Sequence, residues 1–339
     1  MDRLRLTGVL LALPCVLLAA STLTHAQRRA APVKLGTIVP KGSLWDETLS
    51  SMGQQWGRLS GGTVRVVVYP GGALGDEVEM VRKVLLGQLD GVALSSVGLS
   101  RIDSGVACLQ VPLLLDSYAE LDYVRDRLAP TLEQRIEAQG FKVLNWADGG
   151  WVRVFSKDAL RTPDDLRRVK LFTSSGDPEM ESLYKRLRFQ VVPLSMVDLV
   201  TSLQTGMIDA VPSVPLFAQL QGLHKLVPHM LDLKLTPLVG GTVISAKVWD
   251  RLPPEHLEGM LDAAREAGMQ LREPIRQLGE DMIAEMAMRG LTVNTADAAT
   301  LAAWRQEVEA IYPNLRGEYC PADIFDEVVR LRDEYRARR

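Results

Sequence analysis

The residues that could do chemistry in this chain are few, and their spacing makes little of them. Beyond His25, near the N-terminus, the histidines are His224, His229 and His256. The five-residue step between the first two puts them on different faces of a helix, and no cysteine or acid completes a set. Surface or structural roles therefore account for them better than metal ligation. The chain has no G-x-S-x-G nucleophile elbow, no Walker phosphate loop and no H-E-x-x-H zinc helix. Gly71-Gly72-Ala73-Leu74-Gly75 is glycine-rich, but it follows Pro70 and lacks the G-x-G-x-x-G spacing. It reads as a turn and not as a phosphate cradle. The acids Asp164-Asp165 suit the first turn of a helix opened by Thr162 and Pro163, which leaves no reason to make them a general acid–base pair. Cys108 and Cys320 are far apart in sequence and read as two buried free thiols, although an oxidising compartment would allow them to pair. No catalytic constellation emerges, and neither a metal nor an organic cofactor is implied.

The elements that would position a site alternate between strand and helix. Residues 33–39 (VKLGTIV) and 63–69 (TVRVVVY) are β-branched runs, and 91–96 (GVALSS) is a third strand. Between them, residues 42–58 carry Leu44, Trp45, Leu49, Met52 and Trp56 near helical period, with Ser43 as N-cap, and residues 76–86 repeat the pattern with Val78, Val81, Val84 and Leu85. A second set starts near residue 150. It has strands at 141–146, 152–155, 169–172, 190–192 and 208–211, and helices at 118–139, 178–186 and 195–203. Such alternation predicts an α/β fold with a mostly parallel sheet. Residues 254–289 hold one apolar helical face, interrupted by Pro274. At 1.5 Å per residue that is roughly 50 Å, more than one small domain, so the helix is expected to touch two.

The first 26 residues differ from the rest. Arg3 and Arg5 precede an apolar stretch from Leu6 to Ala20, and Thr24-His25-Ala26 supplies small residues at the cleavage positions. This is the three-part secretory signal, and the apolar run is short for a membrane-spanning helix. The net charge of -3 is balanced along the chain, which points away from a nucleic-acid partner. An exported, two-lobed α/β chain without catalytic groups suits a receptor that closes by a hinge around a small molecule.

Several stretches in order carry a family resemblance. They are Lys34-Leu35-Gly36; Gly61-Gly62-x-Val64-x-Val66-x-Val68-Tyr69-Pro70-Gly71-Gly72-x-Leu74-Gly75-Asp76; Gly87-x-Leu89-Asp90; Thr162-Pro163-Asp164-Asp165-Leu166 with Val169-Lys170-Leu171; and Leu203-Gln204-Thr205-Gly206-x-Ile208-Asp209. Over residues 33–320 the chain resembles the DctP-like solute-binding proteins of tripartite ATP-independent periplasmic (TRAP) transporters. The resemblance implies a periplasmic-binding-protein fold with two lobes and a long connecting helix, and a TRAP membrane permease as partner. Some relatives with an apolar cleft also work with a tetratricopeptide-repeat protein. The lobes are expected at 33–150 with 239–278, and at 151–238 with 279–339.

The departures bear on the ligand. Most members place an Arg after the Lys-Leu of the strand that follows the Pro-Asp-Asp-Leu helix, where its fork meets a ligand carboxylate. This chain has Phe172 there. A second family Arg stands within one residue of Arg153. Other ligand-facing family positions fall on Ile38, Ser95, Ser175, Met196 and Ser213, with Trp151 close by. Phe172, Met196 and Trp151 are each readable as cleft or core residues, and the serines as ligand contacts or caps. The expected ligand is small and apolar or weakly polar, with a small carboxylate held by Arg153 or another Arg as the alternative. The leader reading predicts that intact-mass analysis of the exported protein starts at Gln27. A product retaining the apolar run from Leu6 would overturn it.

Overall fold

The computed structural model describes residues 32–338, and the leader with its cleavage site lies outside them. The chain opens on β1 (Val33–Thr37), whose Val33, Leu35 and Thr37 are buried. α1 (Leu44–Leu59) follows, opened by the Ser43 hydroxyl, which accepts from the Asp46 amide at 3.3 Å. Its buried face holds Leu49, Met52 and Trp56. β2 (Val66–Tyr69), α2 (Glu77–Leu85) and β3 (Gly91–Ser95) complete a first unit in which β1 pairs in parallel with both β2 and β3. α3 (Ser96–Ser100), a 3-10 turn at Ser104–Gln110 and α4 (Tyr118–Ala138) lead into β4 (Phe141–Ser156).

The second unit runs α5 (Pro163–Leu166), β5 (Lys170–Ser174), α6 (Pro178–Arg186), β6 (Gln190–Leu194), α7 (Leu199–Gln204), β7 (Ala210–Ser213) and α8 (Pro215–Leu220). β5 pairs in parallel with β6 and β7. α5 is opened by the capping box that the Thr-Pro-Asp-Asp spacing implies: Thr162 and Asp165 bond each other's backbone amides. The chain closes with β8 (His229–Ser245), α9 (Ala246–Trp249), α10 (Leu257–Met288), β9 (Thr292–Thr295), α11 (Ala298–Glu309), α12 (Tyr312–Glu318) and α13 (Ala322–Ala337).

Among the described residues the strands form one sheet in the order β2-β1-β3-β8-β4-β7-β5-β6, with β9 on β8. The sheet is mixed: β4 and β8 run antiparallel from Phe141 opposite Ser245 to Ser156 opposite His229. β3 pairs with the Gly240–Ile244 half of β8, and β7 with the Arg153–Ser156 end of β4. Two long strands thus belong to both parallel units, and the molecule is two-lobed with a shared spine.

The sequence reading splits β4 in two and gives β8 no strand. Gly149-Gly150 and Pro237 account for both errors, because in sequence they read as breakers. In the structure Gly150, at φ 98°, stands at a register shift between Asp148 and Gly150, and Pro237 pairs with Trp151 just beyond it. A bulge is where a sheet tolerates such residues.

α10 follows a 3-10 turn at Pro254–His256 and continues through Pro274. It packs on α1, on β4 and on α8, elements of both units. α13, which the sequence division groups with the second lobe, lies against α4 and the Ser104–Gln110 turn of the first. The same packing brings Cys108 and Cys320, both buried free thiols as the sequence reads them, into one hydrophobic core despite their separation in sequence.

α10 meets β4 most closely at Gly268, where an added Cβ would stand 2.5 Å from the Trp146 carbonyl oxygen and 2.9 Å from Asn145 Cβ. At Gly279, further along the helix, nothing lies within 4 Å. Gly268→Ala should cost about 1–3 kcal/mol through overpacking. Gly279→Ala should gain about 0.5–1 kcal/mol from helix propensity. Urea unfolding of the two variants checks both signs.

Candidate functional site

A cavity of about 250 Å³ lies between the two units, with β4 and β8 as its floor. From the first unit come Ile38 after β1, Trp45, Thr48 and Leu49 of α1, Glu77 of α2 and Ser95 of β3. From the second come Phe172, Thr173 and Ser174 of β5, Asp177, Met180 and Tyr184 around α6, Met196, Ser213 of β7 and Phe217 of α8. Asn145, Asp148, Gly149, Val152, Thr236 and Leu238 line it from the floor strands.

Of the residues singled out in the sequence, Phe172, Met196, Ser213, Ser95 and Ile38 line this cavity, while Trp151, Arg153 and Ser175 do not. Phe172 meets both of its readings. It is 4% exposed, packs in a core with Leu199, Leu203 and Ile208, and still presents a face to the cavity. Trp151 is core: its ring lies 5.7 Å from that of Tyr118. Successive residues on a strand face opposite sides, so Val152 reaches the cavity and Arg153 turns away. Arg153 is 1% exposed, donates from Nε to Asp232 at 3.0 Å and lies 3.5 Å from Glu280. Its Nη1 is buried without a partner. The Ser175 amide donates to the Leu194 carbonyl at 2.9 Å, outside the cavity wall.

The walls touch each other beyond the cavity. Gly176 is backed so closely onto the first unit that a Cβ there would stand 2.6 Å from Val78 Cγ2. The same construction at Gly72 reaches Val197 at 3.4 Å. Arg101, at the end of α3, is ion-paired with Glu179 of α6.

Charge in the site is entirely acidic. Asp148 is neutralised from behind by Arg125 and by Arg276, whose Nε lies 2.8 Å away. Glu77, 6% exposed, accepts from the Ser95 amide at 2.5 Å, the Ser95 hydroxyl at 2.6 Å and the Gly98 amide at 3.2 Å. Burial outweighs these donors and pushes its pKa up. Asp177 caps α6 by accepting from the Met180 amide at 2.9 Å, and burial raises it as well. Burial also raises the Tyr184 phenol. No Lys or Arg appears among the described residues that line the cavity. The Ser95 hydroxyl is committed to Glu77, and the Thr236 hydroxyl donates to the Gln110 carbonyl at 2.9 Å.

Sequence reasoning passed over Glu77, Asp177, Tyr184 and Phe217. Glu77 and Asp177 look like ordinary first-turn or capping acids, and nothing local marks them as cavity-facing. Among the described residues no group of three or more His, Cys, Asp or Glu side chains could hold a metal ion, and no helix is long and apolar enough to cross a membrane.

The model of the family described as "Bacterial extracellular solute-binding protein, family 7" matches residues 35–318. The 2,3-diketo-L-gulonate-binding periplasmic protein YiaO of Escherichia coli is 26% identical over 242 residues, 69% of this chain and 72% of the relative. A TRAP periplasmic solute-binding protein from Ralstonia eutropha, solved with bound (S)-2-acetolactate, superposes with a TM-score of 0.84 at 18% identity, covering 89% of this chain and 99% of that one. A sugar acid binding protein from Advenella mimigardefordensis in complex with galactonate gives 0.84 at 18% identity, over 90% and 99%. At these identities the structural likeness shows the fold.

Because Glu77 has a raised folded-state pKa, its contribution to stability is full below the unfolded value of 4.5 and is lost as pH rises through the folded value. Glu77→Gln, which cannot ionise, should therefore make stability flatter above pH 4.5. Urea midpoints at several pH values check this, and equal slopes for the two proteins would refute it.

Proposed function

The chain belongs to the family 7 bacterial extracellular solute-binding proteins, the DctP-like receptors of TRAP transporters, and on that premise we propose that its cleft takes an uncharged solute with substantial apolar surface. Members of this family are periplasmic receptors that bind small molecules and work with TRAP membrane permeases. The ligand class is the proposal, and one observation carries it: the cavity offers three carboxyl groups and, among the described residues lining it, no cation.

A carboxylate that entered would leave its water and meet no guanidinium. Burial of an unpaired charge costs several kcal/mol, and the nearest protein groups, Glu77 and Asp177, are themselves acids. An uncharged solute avoids that cost and gains about 25 cal/mol per Å² of apolar surface covered. Phe172, Val152, Met196 and Leu238 supply that surface, and the carboxyls of Glu77 and Asp177, whose pKa burial raises, stand on the opposite walls.

Closure is the mechanism. A ligand touching both walls stabilises the state in which they meet, and the contacts of Gly176 with Val78 and of Arg101 with Glu179 belong to that state. The lobes are 33–150 with 239–278 and 151–238 with 279–339, and α13 reaches back from the second onto the first. The receptor acts without catalysis, and passes its ligand to a permease, with a tetratricopeptide-repeat protein as a further candidate partner.

A second reading rests on the acids bound by the solved relatives, acetolactate and galactonate, and on the buried, unpartnered Nη1 of Arg153. For Arg153 to hold a carboxylate it must give up Asp232 and turn through the sheet. Mass spectrometry of the solute that leaves with the protein from its native periplasm separates the readings. An uncharged compound is expected, with Phe172→Arg lowering its affinity at least tenfold. Tight binding of succinate, acetolactate or galactonate, abolished by Arg153→Ala, would establish the carboxylate reading instead.

A further inference from the structure

We propose that Cys108 and Cys320 are a disulfide-forming pair, oxidised as the chain folds, which staples the C-terminal helix to the first lobe. Cys108 lies in the Ser104–Gln110 turn and is fully buried; Cys320 immediately precedes α13 and is 2% exposed. Both belong to one hydrophobic core, with Leu132, Ile136, Tyr319 and Ile324 around them. Both are buried free thiols, and Cys108 Sγ stands 3.9 Å from the carbonyl oxygen of Pro321, the residue after Cys320. The backbone segments are held in register by the packing of α13 on this turn and on α4. The thiols are thus already neighbours in the folded chain, and their approach requires no rearrangement of elements.

The burial that brings them together also decides when they react. Attack on a disulfide requires a thiolate. Burial and the neighbouring thiol push the Cys108 pKa far up, so Cys108 is a poor nucleophile in the folded chain. In the unfolded chain both thiols titrate normally. There one thiolate attacks the disulfide of a thiol–disulfide oxidant, forming a mixed disulfide and releasing one oxidant thiol. The second cysteine then attacks the mixed disulfide at the first cysteine's sulfur and expels the other. Two protons and two electrons leave the pair, and the oxidant's disulfide ends as two thiols. A periplasmic location supplies such an oxidant, and the inference rests on the family reading for that point alone. Once formed, the bond closes a loop of more than 200 residues, so it restrains the unfolded chain strongly.

The experiment uses purified protein, reduced and unfolded, then refolded in a buffer of oxidised and reduced glutathione, and finally denatured in iodoacetamide. The expected product is lighter by two hydrogens than the reduced chain, with Cys108 and Cys320 peptides cross-linked and neither alkylated. Alkylation of both, or a glutathione adduct on either, overturns the pairing. Reductant should lower the melting temperature of the oxidised protein by about 5 °C or more. It should leave Cys320→Ser, already at the lower value, unchanged. An oxidised protein whose melting temperature ignores reductant overturns the staple. Protein recovered from the periplasmic fraction is alkylated in the same way. Free Cys108 and Cys320 there overturn oxidation in the cell, whereas absence of the protein from that fraction counts against the export reading and leaves the outcome of refolding to decide the pairing.

Discussion

The antiparallel pairing of β4 with β8 is the constraint on which the rest of the molecule depends. Neither parallel unit is closed without it, since β3 ends one unit on β8 and β7 ends the other on β4. The pairing survives a glycine pair and a proline because its irregularities are gathered at register shifts. The largest electrostatic arrangement in the molecule sits beside the same place. Asp148 is 2% exposed, and Arg125 is fully buried. Arg276 of α10 bridges Asp148 and Asp122, with Nη1 2.8 Å from Asp122. Burying such ions is costly unless every group is paired. Here α4, β4 and α10 each contribute members, so the network joins three elements at the strand's irregular point. Burial and the two carboxylates have opposite effects on the Arg276 pKa, and the carboxylates prevail and raise it.

The same network shapes the cleft. Asp148 forms part of the floor, and without Arg125 and Arg276 it would be an unpaired charge under the ligand. With it neutralised from behind, the acids left are Glu77 and Asp177, each already tied to backbone amides. These acids belong to opposite walls, yet both are raised by burial. The cleft is therefore lined by apolar side chains and by acids that burial or ion pairs from behind hold in place. Its cations stand elsewhere: Arg153 behind the sheet with Asp232, and Arg101 at the meeting of the walls with Glu179.

Much of this was legible in the sequence where a signal is local. Ser43 and Thr162 cap the helices that their spacing announces, and the apolar face of 254–289 folds as a helix over nearly that length. Phe172 lies in β5, which the local β-branched and apolar run announces, and lines the cavity. What could not be read depends on distant parts of the chain. β8 carries Pro237 and Gly240-Gly241, residues that read in sequence as strand breakers, and their partners on β4 lie 86–95 residues earlier. Arg153 and Val152 differ by one residue, and one residue reverses the face of the sheet. Trp151 lies next to the lining Val152 and misses the cavity for the same reason, and Ser175 lies just past the end of β5, after the lining Ser174. The contact of Cys108 with Cys320 follows only from the return of α13 to the first lobe.

The close contacts of α10 decide where the molecule can bend. At Gly268 the helix is wedged against the Trp146 carbonyl, and Asn145 reaches from β4 to the Ala264 carbonyl at 3.1 Å. Trp56 of α1 holds the same stretch through the Met260 carbonyl at 2.8 Å. From 260 to 268 the helix is thus fixed to the first lobe, and a rotation between lobes cannot be absorbed there without breaking close packing. Further on, α10 meets α8 of the second lobe. Leu271 and Ile275, on either side of Pro274, share a core cluster with Leu216 of α8; Pro274 removes one helical hydrogen bond, while Gly149-Gly150 provides the corresponding irregularity in β4. Arg276 links the two through Asp148. The irregular points of helix and strand are therefore tied to each other by a buried ion pair, in place of the regular backbone hydrogen bonding that each interrupts.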